Sequence, residues 1–378
     1  MAKYRLEEIA PICQGAVPTS NQYWLLNLDA VESNTGRVLE YVYVDYSQIG
    51  ASTIAFDESN VLYSKLRPYL NKVVLPERPG YATSEMLPLK PDSEVITREY
   101  LAYFLRSPDF VEFINGKTSG AKMPRANISD LKAVEIDCPS IKEQKEVVST
   151  FSKLECVARK RQQQLSELDD LIKARFVEMF GDPISNEKGW LTAPLTGACS
   201  KIYGGGTPSK NHPEYFEGTI PWVSPKDMKS DVIFDSIDHI TEDAIKNSTT
   251  NLVPEGSVLM VIRSGILKHN LPVAINAVPV TINQDMKAFI PGRSIKASFL
   301  RYYFKAIEPD VLAGVRGVTA DNIDFKSFQQ REIIIPPIDL QIEFEEFCKQ
   351  VDKSRYAIQK SLNETQLLFD SLMQKIFG

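Results

Sequence analysis

Two long stretches of this chain place apolar residues at the spacing of an amphipathic α-helix. The first runs from Pro139 to Gly181, with apolar residues recurring every three or four positions. Ser140 followed by Glu143 is the pattern of a capping box, which predicts that a helix begins there. Gly181 before Pro183 predicts where it ends. About 38 helical residues at ~1.5 Å per residue make a rod of roughly 57 Å, which needs a packing partner.

The second stretch repeats the first without a gap, at an offset of 197 residues. The Pro-x-Ile-x-x-Gln sequence that starts at Pro139 recurs at Pro336, and the closing Phe-Gly at 180–181 recurs at 377–378. Agreement in one register at both ends indicates an internal duplication rather than two unrelated amphipathic helices. We therefore expect the helices to pack against each other through ten apolar positions. These are Phe151, Leu154, Leu165, Leu168, Ile172, Phe344, Val351, Leu362, Leu368 and Phe369.

Polar residues interrupt both apolar stripes. Arg161 and Gln162 do so in the first helix, and Arg355 does so in the second. We interpret these positions as places where the helices separate or meet a partner subunit.

The segments outside the helices also resemble each other. In the first, Val38–Tyr46 alternates in the manner of a β-strand, and Val61–Val73 begins as a strand and breaks at Pro68. In the second, Val258–Gly265 matches the start of Val61–Val73. The offset drifts in these segments, so their surface loops have diverged more than the helices have.

These patterns predict an α+β chain with a pseudo-two-fold internal repeat. Two globular domains are joined by two long antiparallel coiled-coil helices. The predicted boundaries are 1–138 for the first domain, 139–182 for the first helix, 183–335 for the second domain and 336–378 for the second helix.

The composition is that of an ordinary globular protein, with 43% hydrophobic and 24% charged residues. The sequence has no apolar run of about 18 residues and no apolar signal core near its start, so no membrane span is expected. Five scattered cysteines without a Cys-x-x-Cys pair are typical of a cytoplasmic protein with reduced thiols.

Three unclustered histidines argue against a zinc site. The net charge of −6 argues mildly against a nucleic-acid partner, although it does not describe how the basic residues are distributed.

Two sequence patterns could indicate catalytic chemistry, and neither is complete. The glycines at 204–206 lack the spacing of a phosphate-binding loop, and we interpret them as a turn that needs positive φ. A loose nuclease pattern of two carboxylates and a lysine occurs in each segment, and it stays open as a lesser alternative. Its members are Asp109, Asp130 and Lys132 in the first segment, and Asp310, Asp324 and Lys326 in the second.

Several motifs, taken in order along the whole chain, identify a family. They are Val-Leu-Tyr-Ser-Lys-Leu-Arg-Pro-Tyr-Leu-Asn-Lys-Val at 61–73, Gly-Gly-Gly-Thr-Pro-Ser at 204–209, Ile-Pro-Trp-Val-Ser-Pro-Lys-Asp-Met at 220–228, the repeated helix starts and Phe-Gly-Asp-Pro at 180–183. With these motifs the chain resembles the specificity subunit of type I restriction-modification systems.

The resemblance implies that the two globular domains are target-recognition domains, each reading one half of a bipartite site in double-stranded DNA. It implies a non-catalytic chain whose helices set the distance between the half-sites. Two modification subunits that methylate adenine, and through them the restriction subunits, would be its partners. S-adenosylmethionine, ATP and Mg²⁺ would be bound by those partners, and this chain would bind no cofactor or metal.

On this interpretation, basic residues interleaved with tyrosine hold phosphates and read bases in the major groove. The predicted DNA-binding residues are Lys65, Arg67, Tyr69, Lys72, Lys122 and Arg125 in the first domain, and Lys210, Lys226, Arg263, Lys268 and Arg316 in the second. Each basic residue could instead be a solvated surface charge, and Tyr63 and Tyr69 could be core residues. The alternative function is a non-DNA scaffold, in which two diverged modules on a coiled-coil spacer bind proteins or glycans.

Overall fold

The computed structural model describes residues 2–120, 122–315 and 321–378. The chain divides into two compact units. Unit 1 consists of Met1–Gln163 with Gln359–Gly378, and unit 2 consists of Gln164–Ile358. The boundaries fall within both long helices, so each unit contains one globular module and a part of each helix.

Among its described residues, unit 1 combines eleven short strands with four short helices and the start of the first long helix, which continues into unit 2. The strands are β1 (Ala2–Arg5), β2 (Tyr23–Leu26), β3 (Val42–Val44), β4 (Thr53–Phe56), β5 (Val61–Ser64), β6 (Val73–Val74), β7 (Gly80–Thr83), β8 (Met86–Leu89), β9 (Thr118–Ser119), β10 (Arg125–Ala126) and β11 (Glu135–Cys138). The helices are α1 (Leu6–Ile9), α2 (Arg98–Leu105), α3 (Pro108–Asn115), α4 (Ile128–Lys132) and α5 (Ile141–Phe180).

Unit 2 has a similar content. Its strands are β12 (Thr192–Pro194), β13 (Cys199–Gly204), β14 (Ile220–Val223), β15 (Val232–Ile233), β16 (His239–Ile240), β17 (Val258–Val261), β18 (Val273–Asn276), β19 (Thr281–Ile282), β20 (Met286–Pro291) and β21 (Glu332–Ile334). Its short helices are α6 (Leu195–Ala198), α7 (Glu242–Lys246), α8 (Ala297–Ala306), α9 (Glu308–Ala313) and α10 (Phe325–Phe328). The second long helix, α11 (Ile338–Phe377), begins in unit 2 and ends in unit 1.

The two units share one strand plan. In unit 1 a sheet runs in the order β6-β5-β8, and in unit 2 the order β18-β17-β20 corresponds to it. A second sheet contains β3-β2-β7 in unit 1 and β16-β14-β19 in unit 2, and in each case the last two strands are parallel. An antiparallel pair, β1 with β11 or β12 with β21, joins the two ends of each module directly before a long helix. The duplication seen in the helices therefore extends to the topology of both modules.

The start and end of the first long helix follow the sequence signals. The Ser140 N–H donates to Glu143 Oε2 at 2.9 Å, and the Glu143 N–H donates to Ser140 Oγ at 3.4 Å, which is the reciprocal pattern of a capping box. Gly181 follows the last helical turn at φ +77°, the left-handed conformation that glycine adopts without strain. These two local predictions are confirmed.

The long helices contact each other within each unit. In unit 1, Phe151 lies 5.1 Å from Phe369, measured between ring centroids. In unit 2, Phe344 lies 5.6 Å from Phe176 and 5.5 Å from Phe180. Early residues of one helix meet late residues of the other in both units, so the pairing is antiparallel.

The predicted packing positions differ in how deeply they are buried. Ile172 and Val351 are buried, as are Phe151 and Phe344. Five further positions are half-buried: Leu154, Leu165, Leu168, Leu362 and Phe369. Leu368 is 51% exposed, so its prediction as a packing residue is wrong. Its neighbour Phe369 occupies the packing face, and two adjacent helical residues point about 100° apart, so both cannot lie on the same narrow stripe.

Arg355 does not separate the helices, contrary to the interpretation from the sequence. Its Nη2 lies 2.7 Å from Asp169 Oδ1, which forms an ion pair between α11 and α5 in unit 2. A second ion pair of this kind joins Arg175 and Glu343 at 2.7 Å. The polar interruption is therefore an interhelical contact. Within the part of the chain that the structure describes, no helix is both long enough and apolar enough to cross a membrane.

Candidate nucleic-acid interface

In unit 1 two separate loops cross at Leu66 and Arg125. These residues form an antiparallel bridge. The Ala126 N–H donates to the Lys65 carbonyl oxygen at 2.8 Å on one side, and the Arg67 N–H donates to the Pro124 carbonyl oxygen at 2.8 Å on the other. The crossing thus brings the predicted residues Lys65 and Arg67 next to Arg125, although they are far apart in the sequence.

A carboxylate holds the arginine of this crossing. Arg125 Nε lies 3.1 Å from Glu85 Oε1, and its Nη2 lies 2.9 Å from the same oxygen. Glu85 directly precedes β8, and its carbonyl oxygen accepts a 2.9 Å hydrogen bond from the Lys65 N–H. Hydrogen bonding to Glu85 raises the pKa of the Arg125 guanidinium, so this side chain stays charged at any physiological pH.

The other predicted residues of this region lie around the crossing. Arg67 adopts φ 48°, a left-handed conformation that is uncommon for a residue with a side chain, and it starts a 3-10 turn at Pro68–Leu70. Tyr69 in that turn is 53% exposed, whereas Tyr63 in β5 is buried in the core. Lys122 is exposed.

Lys72 is half-buried and contacts the backbone of its own unit. Its Nζ donates to the Leu28 carbonyl oxygen at 2.6 Å inside the fold. Burial lowers the pKa of the Lys72 ammonium, partly offset by the nearby Asp29 carboxylate. Lys72 is therefore anchored to its own unit through one of its three N–H donors, and its role as a DNA-binding residue stays a prediction.

Unit 2 contains the same crossing, with Arg263 bridged to Asn322. The Ile323 N–H donates to the Ile262 carbonyl oxygen at 2.9 Å, and the Ser264 N–H donates to the Asp321 carbonyl oxygen at 3.1 Å. The hydrogen-bond pattern is that of unit 1, position for position.

A carboxylate also holds the arginine in unit 2. Arg263 Nε lies 2.6 Å from Asp285 Oδ1, and its Nη2 lies 2.5 Å from the same oxygen. Asp285 directly precedes β20, as Glu85 precedes β8. The second oxygen of Asp285 accepts weak 3.4 Å hydrogen bonds from the side-chain amides of Asn283 and Gln284, which help to orient the carboxylate.

A groove of about 710 Å³ opens beside this ion pair. Its lining combines aromatic, basic and acidic side chains: Lys210, Pro213, Phe216, Trp222, Ser224, Pro225, Lys226, Asp238, Ser264, Asn283 and Asp285. Both Lys210 and Lys226 are exposed at the groove. Three residues predicted from the sequence, Lys210, Lys226 and Arg263, are therefore gathered at one place in unit 2.

The glycine run at 204–206 supports the groove by close packing. The prediction that these glycines need positive φ is wrong, because none of them adopts it. A Cβ at Gly205 would lie 1.7 Å from the Asn283 carbonyl oxygen, and one at Gly206 would lie 2.8 Å from the Thr250 backbone nitrogen. The Gly206 carbonyl oxygen accepts a 3.0 Å hydrogen bond from Trp222 Nε1. Glycine is required here because two backbone segments and the indole meet at van der Waals distance.

Two predicted residues of unit 2 remain, Lys268 and Arg316. The Lys268 ammonium is exposed and 3.9 Å from Asp321 Oδ2. Arg316 lies outside the described residues.

The nuclease pattern does not assemble a metal site. Asp130 pairs with Lys117 at 3.3 Å, and Asp310 pairs with Arg331 at 2.6 Å. Asp324 accepts from the Lys326 N–H at 3.1 Å as the cap of α10. No group of three potential metal ligands occurs among the described residues.

Glu85 and Asp285 were missed by reasoning that looked for basic residues. A signal for them does exist, since Glu85-Met86 and Asp285-Met286 each place an acid and a methionine at the start of corresponding strands.

Comparison with known proteins is consistent with this architecture. The family described as "Type I restriction modification DNA specificity domain" matches residues 1–168 and 187–366. The specificity subunit of the type I restriction enzyme EcoR124I/EcoR124II from Escherichia coli is 34% identical over 239 residues, which cover 61% of this chain and 58% of that protein.

Two further relatives align over nearly the whole chain. The type I restriction enzyme MjaIX specificity subunit of Methanocaldococcus jannaschii is 22% identical over 99% of this chain and 92% of its own length. A chain solved in work on complex assembly and conformational transition of the type I R-M system superimposes with a TM-score of 0.62 at 19% identity, covering 100% of this chain and 97% of that one. The latter likeness shows the shared fold. The family match over most of both repeats shows that the chain belongs to the type I restriction-modification DNA specificity family.

Proposed function

We propose that this chain is the specificity subunit of a type I restriction-modification complex and that each of its modules reads one half of a bipartite DNA target. Family membership supports the role in DNA sequence specificity. The observation that carries the proposal for both modules is the repeated loop crossing, in which a carboxylate-held arginine lies among exposed basic residues in unit 1 and again in unit 2.

The two kinds of DNA contact fall to different side chains in this proposal. Exposed lysines such as Lys122, Lys210 and Lys226 are point charges that suit phosphates and fix the register on the duplex. In unit 1 the exposed Tyr69 adds an aromatic face. The remaining predicted residues, Lys65, Arg67 and Lys268, lie on the same loops and complete the basic surface of each module.

Catalysis belongs to partner subunits in this proposal. The partners are two modification subunits, which use S-adenosylmethionine to methylate adenine, and restriction subunits that use ATP and Mg²⁺. Support comes from the family match. It also comes from the contacts of Asp130 and Asp310, which form ion pairs within their own units, and of Asp324, which caps a helix. A non-DNA scaffold is not favoured, because the family match covers both modules.

The test is to express the chain with its modification subunits in a host that lacks other adenine methylation and to map the modified adenines by sequencing. We expect methylation at one bipartite sequence with a fixed gap. The purified complex should also bind a duplex with that sequence more tightly than a scrambled duplex. Methylation without a common sequence, together with equal affinity for both duplexes, would contradict the proposal.

A further inference from the structure

The arginine of the crossing comes from opposite members of the bridged pair in the two units. In unit 1 it is Arg125, with Leu66 opposite, and in unit 2 it is Arg263, with Asn322 opposite. In both units, backbone hydrogen bonds flank the bridged pair on either side, so the pair itself is of the non-hydrogen-bonded kind. Such pairs have their Cα atoms about 4.5 Å apart and their side chains close together on one face. Either position can therefore deliver a guanidinium to the same carboxylate.

The carboxylate occupies one edge of the guanidinium in each unit. Glu85 accepts from Nε and Nη2 of Arg125, and Asp285 does the same for Arg263. The opposite edge, formed by Nη1 and the second proton of Nη2, points away from the carboxylate. Its one hydrogen bond among the described residues is a long 3.4 Å contact from Arg125 Nη1 to the Met123 carbonyl oxygen.

In both ion pairs the arginine side chain is more exposed than the carboxylate that it contacts. The arginine side chains are 44% and 49% exposed, whereas the side chains of Glu85 and Asp285 are each 21% exposed. The acid is thus part of the module, and the arginine extends from it into solvent with its plane fixed.

We infer that Arg125 and Arg263 each read a guanine in their half-site through this outer edge, and that Glu85 and Asp285 are positioning residues that fix the plane of the guanidinium. The inference rests on the proposed function and adds a base identity to it. Guanine presents O6 and N7 in the major groove as two adjacent acceptors, which match two parallel N–H donors of arginine. A freely rotating arginine would bind any nearby phosphate, whereas a held one distinguishes a base that offers two acceptors.

The first experiment uses the complex with its modification subunits and the target found by methylation mapping. Competition binding is measured against duplexes that carry every single substitution, and against duplexes with 7-deazaguanine in place of each guanine. For Arg263→Ala we expect discrimination to fall roughly 10- to 100-fold at one G·C pair of one half-site, with the other half-site unchanged. Arg125→Ala should show the converse. Replacement of the guanine concerned by 7-deazaguanine should weaken the wild type and leave the variant unaffected.

The positioning residues and the bridge provide sharper tests. Asp285→Asn should lose the same discrimination as Arg263→Ala, and Asp285→Glu should restore most of it. Arg263→Lys should keep the salt dependence of binding and lose the discrimination. In the exchange variant Arg263→Asn with Asn322→Arg, the arginine moves to the position that Arg125 occupies in unit 1, so recognition of the same base should return.

A matched control is Lys226→Ala, which should weaken all duplexes equally. If Arg263→Ala also weakens all duplexes equally, or if every guanine of the half-site tolerates 7-deazaguanine, the inference is wrong while the proposed function stands. Should the wild-type complex show no sequence preference, the proposed function itself fails. The conservative Arg263→Lys and the exchange variant keep the question answerable if Arg263→Ala does not fold.

Discussion

Gln144 in unit 1 and Gln341 in unit 2 make the same three hydrogen bonds. Each side chain is fully buried near the start of a long helix. Gln144 Nε2 donates to the carbonyl oxygens of Val95 at 2.8 Å and Pro139 at 2.9 Å, and its Oε1 accepts from the Thr97 N–H at 2.8 Å.

Gln341 repeats this with the carbonyl oxygens of Ser294 at 3.0 Å and Pro336 at 2.8 Å and with the Lys296 N–H at 2.8 Å. The glutamine of the duplicated Pro-x-Ile-x-x-Gln sequence therefore ties each long helix to the loop before α2 or α8. The glutamine occurs at the same position in both repeats because three buried backbone groups need a hydrogen-bond partner there.

Replacing this glutamine should destabilise the unit that contains it. Gln144→Ala leaves two carbonyl groups and one N–H without their partner, and each unsatisfied buried group costs about 1–3 kcal/mol. Because water can enter the space left by the side chain, we expect a loss of about 3 kcal/mol in the free energy of unfolding, measured with urea. The control is Gln366→Ala on an exposed face of α11, which should change it by less than about 0.5 kcal/mol. Equal effects of the two variants would contradict the role assigned to Gln144.

Among the contacts between the two long helices, the aromatic ones should contribute most to the free energy of unfolding. Phe151→Ala and Phe344→Ala each remove a fully buried ring and should cost about 3–5 kcal/mol. Leu368→Ala is the matched control, since this side chain is half-exposed and should contribute within about 0.5 kcal/mol. Hydrogen exchange should show lost protection in unit 1 for Phe151→Ala and in unit 2 for Phe344→Ala. A large effect of Leu368→Ala would show that the packing face is wrongly assigned.

Salt dependence should separate a phosphate contact from a lysine that belongs to the fold. Lys210→Ala should weaken binding to all duplexes and reduce the slope of log K against log salt by about one unit. Lys72→Met should instead lower the free energy of unfolding, because the Leu28 carbonyl oxygen loses its donor. The slope measured for the folded fraction of this variant should equal that of the wild type. A reduced slope for Lys72→Met would show instead that Lys72 contacts DNA phosphates.

The lengths of the helices should set the gap between half-sites. Removing four residues from each helix, for example 162–165 together with 356–359, shortens each by about 6 Å at 1.5 Å per residue. At about 3.4 Å per base pair, the recognised gap should shrink by roughly two base pairs, or recognition should be lost. The measurement is methylation mapping in cells that carry the variant. An unchanged target would rule out this role of the helices.

Thiol reactivity should report the integrity of both modules. Burial raises the pKa of the Cys138 thiol to about 11 and those of Cys199 and Cys348 to about 12, whereas Cys13 is exposed. At pH 8, iodoacetamide should label Cys13 much faster than these three, with the sites identified by mass spectrometry. Rapid labelling of Cys199 in the native protein would contradict the described core of unit 2.

The same shifts give a direction for stability against pH. The unfolded thiols ionise near pH 8.5, well below the folded values, so the unfolded state loses protons first as pH rises. The contribution of the three buried thiols to stability is therefore fully present below about pH 8.5 and declines as pH rises towards 12. Urea unfolding of Cys199→Ala between pH 8 and 10 should show a smaller decline than the wild type.

Local and periodic features could be predicted from the sequence, and long-range ones could not. The spacing of apolar residues located both long helices, and Ser140 and Gly181 marked the first of them, because these signals depend on residues a few positions apart. The loop crossing joins Leu66 to Arg125 over 59 positions, and nothing in either segment indicates the other. For the same reason the partners of Arg125 and Arg263 were missed.

Two side-chain directions depend on contacts that the neighbouring sequence does not show. Lys72 lies in a stretch of basic and aromatic residues, but the direction of its side chain is decided by the Leu28 carbonyl oxygen, 44 residues earlier. Leu368 and Phe369 are adjacent apolar residues at the edge of the stripe, and the sequence does not distinguish the one that faces the partner helix.

Unit 1 is assembled from two pieces of the chain that are synthesised far apart in time. Phe377 packs against Tyr100 at 5.1 Å and near Phe151 at 6.1 Å, between ring centroids, so the last residues complete the core of the first module. Unit 2, by contrast, is one uninterrupted segment of the chain. The first module therefore cannot complete its core when its own residues alone are present, although domains synthesised first usually fold first. Until residues 359–378 emerge, the nascent first module keeps an open apolar surface, which is the kind of surface that chaperones bind.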